Sequence, residues 1–153
     1  MNLLRETIRR ILLETDTWGS AKEAIESLKG VFEFKQSWVT GSWNDKIENS
    51  EFVWYPDPND PSCIVRIRVN PSWNSLFLDE IETSPQCEGR GFAKQAIEKL
   101  KAVASAHGVS ILLKPKAFHV DKGENRMNTE ELKSFYRRQG FSDAYGWGME
   151  WKP

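Results

Sequence analysis

Leu76-Phe77-Leu78-Asp79-Glu80-Ile81-Glu82-Thr83-Ser84-Pro85-Gln86-Cys87-Glu88-Gly89-Arg90-Gly91-Phe92-Ala93 is the stretch on which the reading of this chain turns. It reads as a strand, a tight turn and the start of a helix. The turn holds Gln86-x-x-Gly89-x-Gly91, and glycines there let the backbone bend sharply and come close to a ligand. Backbone amides at the start of a helix have no intrahelical partner and carry partial positive charge, so the turn is suited to a phosphate or pyrophosphate. Two better-known phosphate motifs do not fit. A dinucleotide fingerprint needs a third glycine where Lys94 stands, and no Gly-Lys-Ser/Thr follows at P-loop spacing.

Downstream, Gly91–His107 is expected to be a helix with Phe92, Ala96, Leu100 and Val103 on one stripe, ended by Gly108. Val109–Leu113 is a short apolar run of the kind found in buried strands, and Lys114–Asn125 reads as a polar loop. Asn128–Gln139 is a second helix, with Asn128 as N-cap, Glu131 three residues on and Gly140 closing it. Phe141–Trp151 reads as loop and a final strand. Upstream, strand-like runs are Val31–Phe34, Glu51–Tyr55 and Cys63–Val69, separated by breakers such as Pro56–Pro61 and Asn70-Pro71. Arg66 and Arg68 alternate with Val65, Ile67 and Val69, the period of a half-buried strand. Residues 36–50 carry no clear pattern. Ser20 is placed to cap a helix from Ala21 to Lys29 with Glu23 at N3, and residues 3–13 have a helical apolar stripe. Strands in a row followed by alternation imply an α+β chain, one domain over residues 1–153, with a central mixed sheet flanked by helices.

Gln86-x-x-Gly89-x-Gly91 resembles the Arg/Gln-x-x-Gly-x-Gly/Ala signature of GNAT acyltransferases, and Leu132-x-x-Phe135-Tyr136-x-x-x-Gly140-Phe141 is similar to that family's late helix, at matching spacing. Together the two segments span about half of the chain. The resemblance implies a GNAT-like fold and an N-acetyltransferase that binds acetyl-coenzyme A and transfers its acetyl group to a primary amine by direct attack. It implies that Glu88, Gly89, Arg90, Gly91 and neighbours present backbone amides to the pyrophosphate, with Gln86, Phe92 and Ala93 in the same cofactor-binding segment. It further implies that Ile81 and Thr83 receive the pantetheine arm where this strand splays from Val109–Leu113. Tyr136 matches the tyrosine that serves the leaving thiolate. Its other reading is an aromatic packed beside Phe135.

Glu80 and Glu82 point to one face of their strand, so either is a candidate general base. Arg66 and Arg68 on the neighbouring strand offer both an ion pair instead. Glu88 departs from expectation by placing a carboxylate beside the anion turn, with Arg90, Lys94 and Lys114 available to offset it. His119 reads as a surface residue. Trp38, Trp43, Trp73 and Tyr145–Trp147 are candidates for an aromatic wall around an amine, small-molecule or protein-borne.

With 21 basic and 22 acidic residues the chain has no general attraction to nucleic acid or to an anionic membrane. No apolar run approaches the length of a membrane span. Cys63 and Cys87 are too few for a disulfide framework and have no close histidine pair for a metal, so a reducing, cytoplasmic setting is expected. Met1–Glu14 resembles the basic leader helices of some tailed-phage head proteins, and Leu12-Leu13-Glu14 is similar to the cleavage signal of their maturation proteases. Residues 1–16 are therefore a leader or a packing helix, and virion association is the matching localisation. The alternative function is an inactive GNAT-like binding or structural module. The amphipathic first helix and an exposed last strand suit a homodimer.

Overall fold

The computed structural model describes residues 4–5, 17–42, 46–115, 127–144 and 148–153. The described residues form a mixed α+β fold. Helix α1 (Thr17–Leu28) is followed by strands β1 (Glu33–Thr40), β2 (Ile47–Trp54), β3 (Val65–Ser72) and β4 (Ser75–Thr83). Helix α2 (Phe92–His107), strand β5 (Ser110–Leu113), helix α3 (Thr129–Arg138) and strands β6 (Ser142–Ala144) and β7 (Gly148–Trp151) complete it. The strands make one sheet in the order β1-β2-β3-β4-β5-β7-β6. Every pair is antiparallel except β4 with β5, which is parallel because α2 carries the chain across.

Alternation in β3 sets the two faces. Val65, Ile67 and Val69 are buried and join Leu28 and Ile25 of α1 and Ile97 and Leu100 of α2 in one core. Burial of each such side chain stabilises the fold by about 1.5–3 kcal/mol. Arg66 and Arg68 therefore point to the opposite face. Helix α2 ends at Gly108, in the left-handed region at φ 65°, and α3 starts at Asn128, whose side chain accepts from the Glu131 amide at 2.9 Å. Both ends are as the sequence indicates. Glu130 and Glu131 in the first turn of α3 and Arg137 and Arg138 in its last complement the helix dipole.

Four expectations need correction. Asn70-Pro71 does not break the strand but lies inside β3, opposite Phe77 and Leu76 of β4. Ser20 lies inside α1, which begins at Thr17, so it is not the cap. Residues 36–40 and 47–50 belong to β1 and β2, and their pattern is unreadable because β1 is an exposed edge strand with no apolar alternation and β2 buries the polar Asn49 and Ser50. The C-terminal segment makes two short strands rather than one. Leu4 and Arg5 are helical and exposed, with Leu4 at 66%. The rest of the leader, Trp43, His119 and Tyr145–Trp147 lie outside the described residues. Among the described residues no helix is long and apolar enough to cross a membrane.

Candidate active site

Parallel pairing of β4 with β5 runs from Ser75–Ser110 to Leu78–Leu113. There β5 ends, and β4 continues through Asp79 to Thr83, paired with β3 alone among the described strands. The β3–β4 register shifts between Arg68 and Val69, which leaves Asp79 as the extra residue on β4. A bulge bends and twists its strand. This one falls where the pairing with β5 stops, so from that residue on β4 has β3 on one side and no described strand on the other.

The part of β4 beyond that pairing borders a cavity of about 370 Å³, within the range of small-molecule sites. Ile81, Glu82 and Thr83 of β4 line one side, Glu88, Gly89, Gly91, Phe92, Ala93 and Lys94 another, and Leu132 and Phe135 of α3 a third. Gly89 and Gly91 take φ 79° and 80°, where side chains with a Cβ are strained. A Cβ on either would meet nothing within 4 Å, so the backbone conformation requires glycine there and leaves open space above the turn. Gly91 is the N-cap of α2, and no side chain caps this end. The first amides of α2 are thus left for another acceptor.

The turn is held from behind by a loop. The Gln86 amide nitrogen donates to the Ser62 carbonyl at 2.8 Å. Ser84 exchanges backbone and side-chain hydrogen bonds with Ile64, and Arg90 reaches Asp57 at 3.5 Å while lying over the Phe92 ring. Cys63 and Cys87 are joined by a disulfide with a Cα–Cα distance of 5.7 Å, and both are buried. Two cysteines, too few for a disulfide framework, still make one bond, and with it goes the cysteine-based argument for a reducing compartment. The pairing was out of reach because the partners are 24 residues apart and meet only through the fold.

On the face opposite α1 and α2, the two candidate bases are ion-paired. Arg68 lies 2.6 Å from Glu80 and Arg66 lies 3.6 Å from Glu82. Between the arginines sits Glu51 of β2, 3.1 Å from Arg66 and 3.9 Å from Arg68, and it accepts from Gln36 at 2.6 Å. Only 6% of Glu51 is exposed. The sequence reading passed over this residue, although a carboxylate opposite an Arg-x-Arg strand is the signal that could have found it. Of the two glutamates on β4, Glu82 lines the cavity and Glu80 does not.

Tyr136 is buried within the core, its ring 5.3 Å from Phe135 and 5.6 Å from Phe141, and burial pushes its hydroxyl pKa up to about 12. The cavity wall from α3 is made by Leu132 and Phe135 rather than Tyr136. Trp38 stands beside Arg68, whose guanidinium is 5.7 Å from its ring. Trp73 is 70% exposed at the β3–β4 hairpin, at the end of β4 away from the cavity, so it does not wall that cavity. No family model matches the chain, and no curated protein matches it. Among solved structures the chain is similar to the anti-CRISPR protein AcrVA5, at 21% identity over 67% of this chain and 98% of that one, with a TM-score of 0.47.

Proposed function

We propose that this chain is a GNAT-type N-acetyltransferase that takes acetyl-coenzyme A and acetylates a primary amine. The observation that supports it most is that the stretch of β4 beyond its pairing with β5 and an open glycine turn at an uncapped helix start lie on one cavity. The residues fit such a molecule. Backbone amides of Gly89 through Ala93 are suited to hold a pyrophosphate, and Lys94 adds a positive charge at the same wall. The backbone at Ile81 and Thr83, past the last pair with β5, suits an extended arm lying alongside it. When bound, acetyl-coenzyme A supplies an acetyl group activated as a thioester.

The chain's own groups then have proton work to do. Glu82 faces the cavity and is the candidate to take the ammonium proton, with Arg66 setting its position. Glu80, held by Arg68, is the second candidate. Tyr136 is the proton donor to the leaving thiolate that the late-helix motif implies; its hydroxyl is protonated across the physiological range, but burial makes it a weaker acid and Leu132 and Phe135 stand in the cavity wall instead.

The reading is tested by calorimetry with acetyl-coenzyme A on the native chain and on Gly89→Glu. Binding that the substitution abolishes, followed by acetyl transfer in an amine screen, supports it. No binding at millimolar ligand overturns it. Binding without transfer to any amine favours the inactive-module alternative, for which the buried position of Tyr136 and the carboxylate of Glu88 in the cavity wall are the supporting observations.

A further inference from the structure

We propose that the Cys63–Cys87 disulfide is a positioning element for the ligand turn, so that the thiol redox state of this pair sets how tightly the cavity holds an anionic ligand. The ligand it names rests on the reading of the cavity as an acyl-coenzyme A site; the mechanical part does not. The turn has two sides. Glu88, Gly89 and Gly91 face the cavity, Ser84, Gln86 and Arg90 tie back to the loop at 57–64, and Cys87 does both, lining the cavity while bonded to Cys63.

That loop is itself well held. Asp57 accepts from the Asn59 amide at 3.0 Å, and Asp60 accepts from the amide and hydroxyl of Ser62. The Cys63 amide donates to the Asp60 carbonyl at 3.1 Å. Of the ties from loop to turn, the Gln86 and Arg90 contacts are exposed and individually weak, and the part-buried Ser84–Ile64 bonds hold the start of the turn three residues before Cys87. The disulfide is the covalent tie, and it is buried at both ends, 0% and 1% exposed. It enters the turn at Cys87, immediately before the cavity-lining Glu88 and Gly89. Backbone amides bind an anion well only when already aimed, so loosening this point weakens binding while the amides themselves remain.

Reduction is a two-electron step. A dithiol reductant gives two electrons and two protons, the Sγ–Sγ bond breaks, Cys63 and Cys87 each become a thiol, and the reductant leaves as its own disulfide. Both sulfurs are buried, so the step needs local opening and is slow.

The experiment compares the air-oxidised full chain with the chain reduced by dithiothreitol and desalted under nitrogen. Maleimide labelling counts thiols, circular dichroism checks that both forms are folded, and calorimetry reads acetyl-coenzyme A affinity. Acetyl-coenzyme A is used because its sulfur is acylated and cannot exchange with the disulfide. Hydrogen exchange follows the amides of residues 88–91. Expected on reduction are Kd higher by about fivefold or more and turn amides exchanging about tenfold faster or more. Cys63→Ser/Cys87→Ser should match the reduced form under both conditions. If that variant does not fold, the two wild-type states still decide. A merely structural cross-link lowers the melting temperature and leaves both Kd and turn exchange unchanged, which overturns the proposal, as do two free thiols in the air-oxidised chain. If neither form binds acetyl-coenzyme A, the functional reading fails, and turn exchange alone decides the positioning role.

Discussion

The Gln86 side-chain amide is bonded to the Ser62 carbonyl at 2.8 Å, so the first polar residue of the glycine-turn motif faces the supporting loop instead of the cavity. Its contribution is to hold the turn. Gln86→Ala removes one exposed hydrogen bond and is expected to lower stability by about 0.5–1 kcal/mol. A shift of the urea midpoint with an unchanged slope is the check. A large loss of ligand affinity with no change in midpoint would mean that Gln86 contacts the ligand directly.

Gly89 is needed for its backbone angle and not for lack of room, since a Cβ there meets no atom within 4 Å. Gly89→Ala should therefore fold, at a cost of about 1–2 kcal/mol for holding an L-residue in the left-handed region. Gly89→Asn should cost less than Gly89→Ala, because asparagine tolerates that region. Equal losses for Asn, Ala and Val in thermal melts would contradict this account.

How far the sequence could be read follows from where its information lies. The strand, turn and helix at 76–93 were legible because glycine spacing and apolar period are local, and Asn128 and Gly108 mark helix ends by local chemistry. The ion pairs of Glu80 and Glu82 with Arg66 and Arg68 followed from two alternating strands set side by side. What was hidden is what only the fold brings together. Residues 36–40 lie on an exposed edge with nothing to pattern them. The Cys63–Cys87 bond and the Gln86–Ser62 contact join segments about which no local rule speaks. The early start of α1 at Thr17 escaped notice because Ser20 offers a capping sequence that the helix runs through.

Glu88 lines the cavity beside the open turn, and its carboxylate opposes an anion held there. Glu88→Gln removes the charge and keeps the shape. Acetyl-coenzyme A binding should tighten by about threefold to tenfold at low salt, with the gain shrinking as salt screens it. Titrations of both chains at two salt concentrations read this directly. An unchanged Kd would place the carboxylate facing away from the ligand.

Glu51 joins two arginines that are each about a third exposed, while Glu51 itself is nearly fully enclosed. Glu51→Ala leaves Arg66 and Arg68 facing each other without their shared carboxylate. The partial exposure of both moderates the loss, so a destabilisation of about 2 kcal/mol is expected, below that for a fully buried pair. Glu51→Gln should lose less, since its amide oxygen still accepts. If Glu51→Ala also alters the pH dependence of acetyl transfer, the arginine network reaches Glu82.

Tyr136 gives the fold a distinctive response to alkali. Its hydroxyl pKa is raised by burial from 10.0 to about 12. Below pH 10 the group is protonated in both folded and unfolded chains, and its contribution is flat. Above pH 10 the unfolded chain ionises while the folded one does not, so stability falls by up to about 1.4 kcal/mol per pH unit until the folded hydroxyl also ionises near 12. The total loss from this group is then about 2–3 kcal/mol. Tyr136→Phe lacks it, so the difference between the two chains in denaturant midpoint should be constant below pH 10 and narrow above it. Kinetics separate a second role from packing. If the hydroxyl protonates the leaving thiolate, Tyr136→Phe should lower kcat by about a hundredfold or more at unchanged acetyl-coenzyme A affinity. If the ring only packs against Phe135 and Phe141, kcat stays near the native value, and the residue contributes to stability alone.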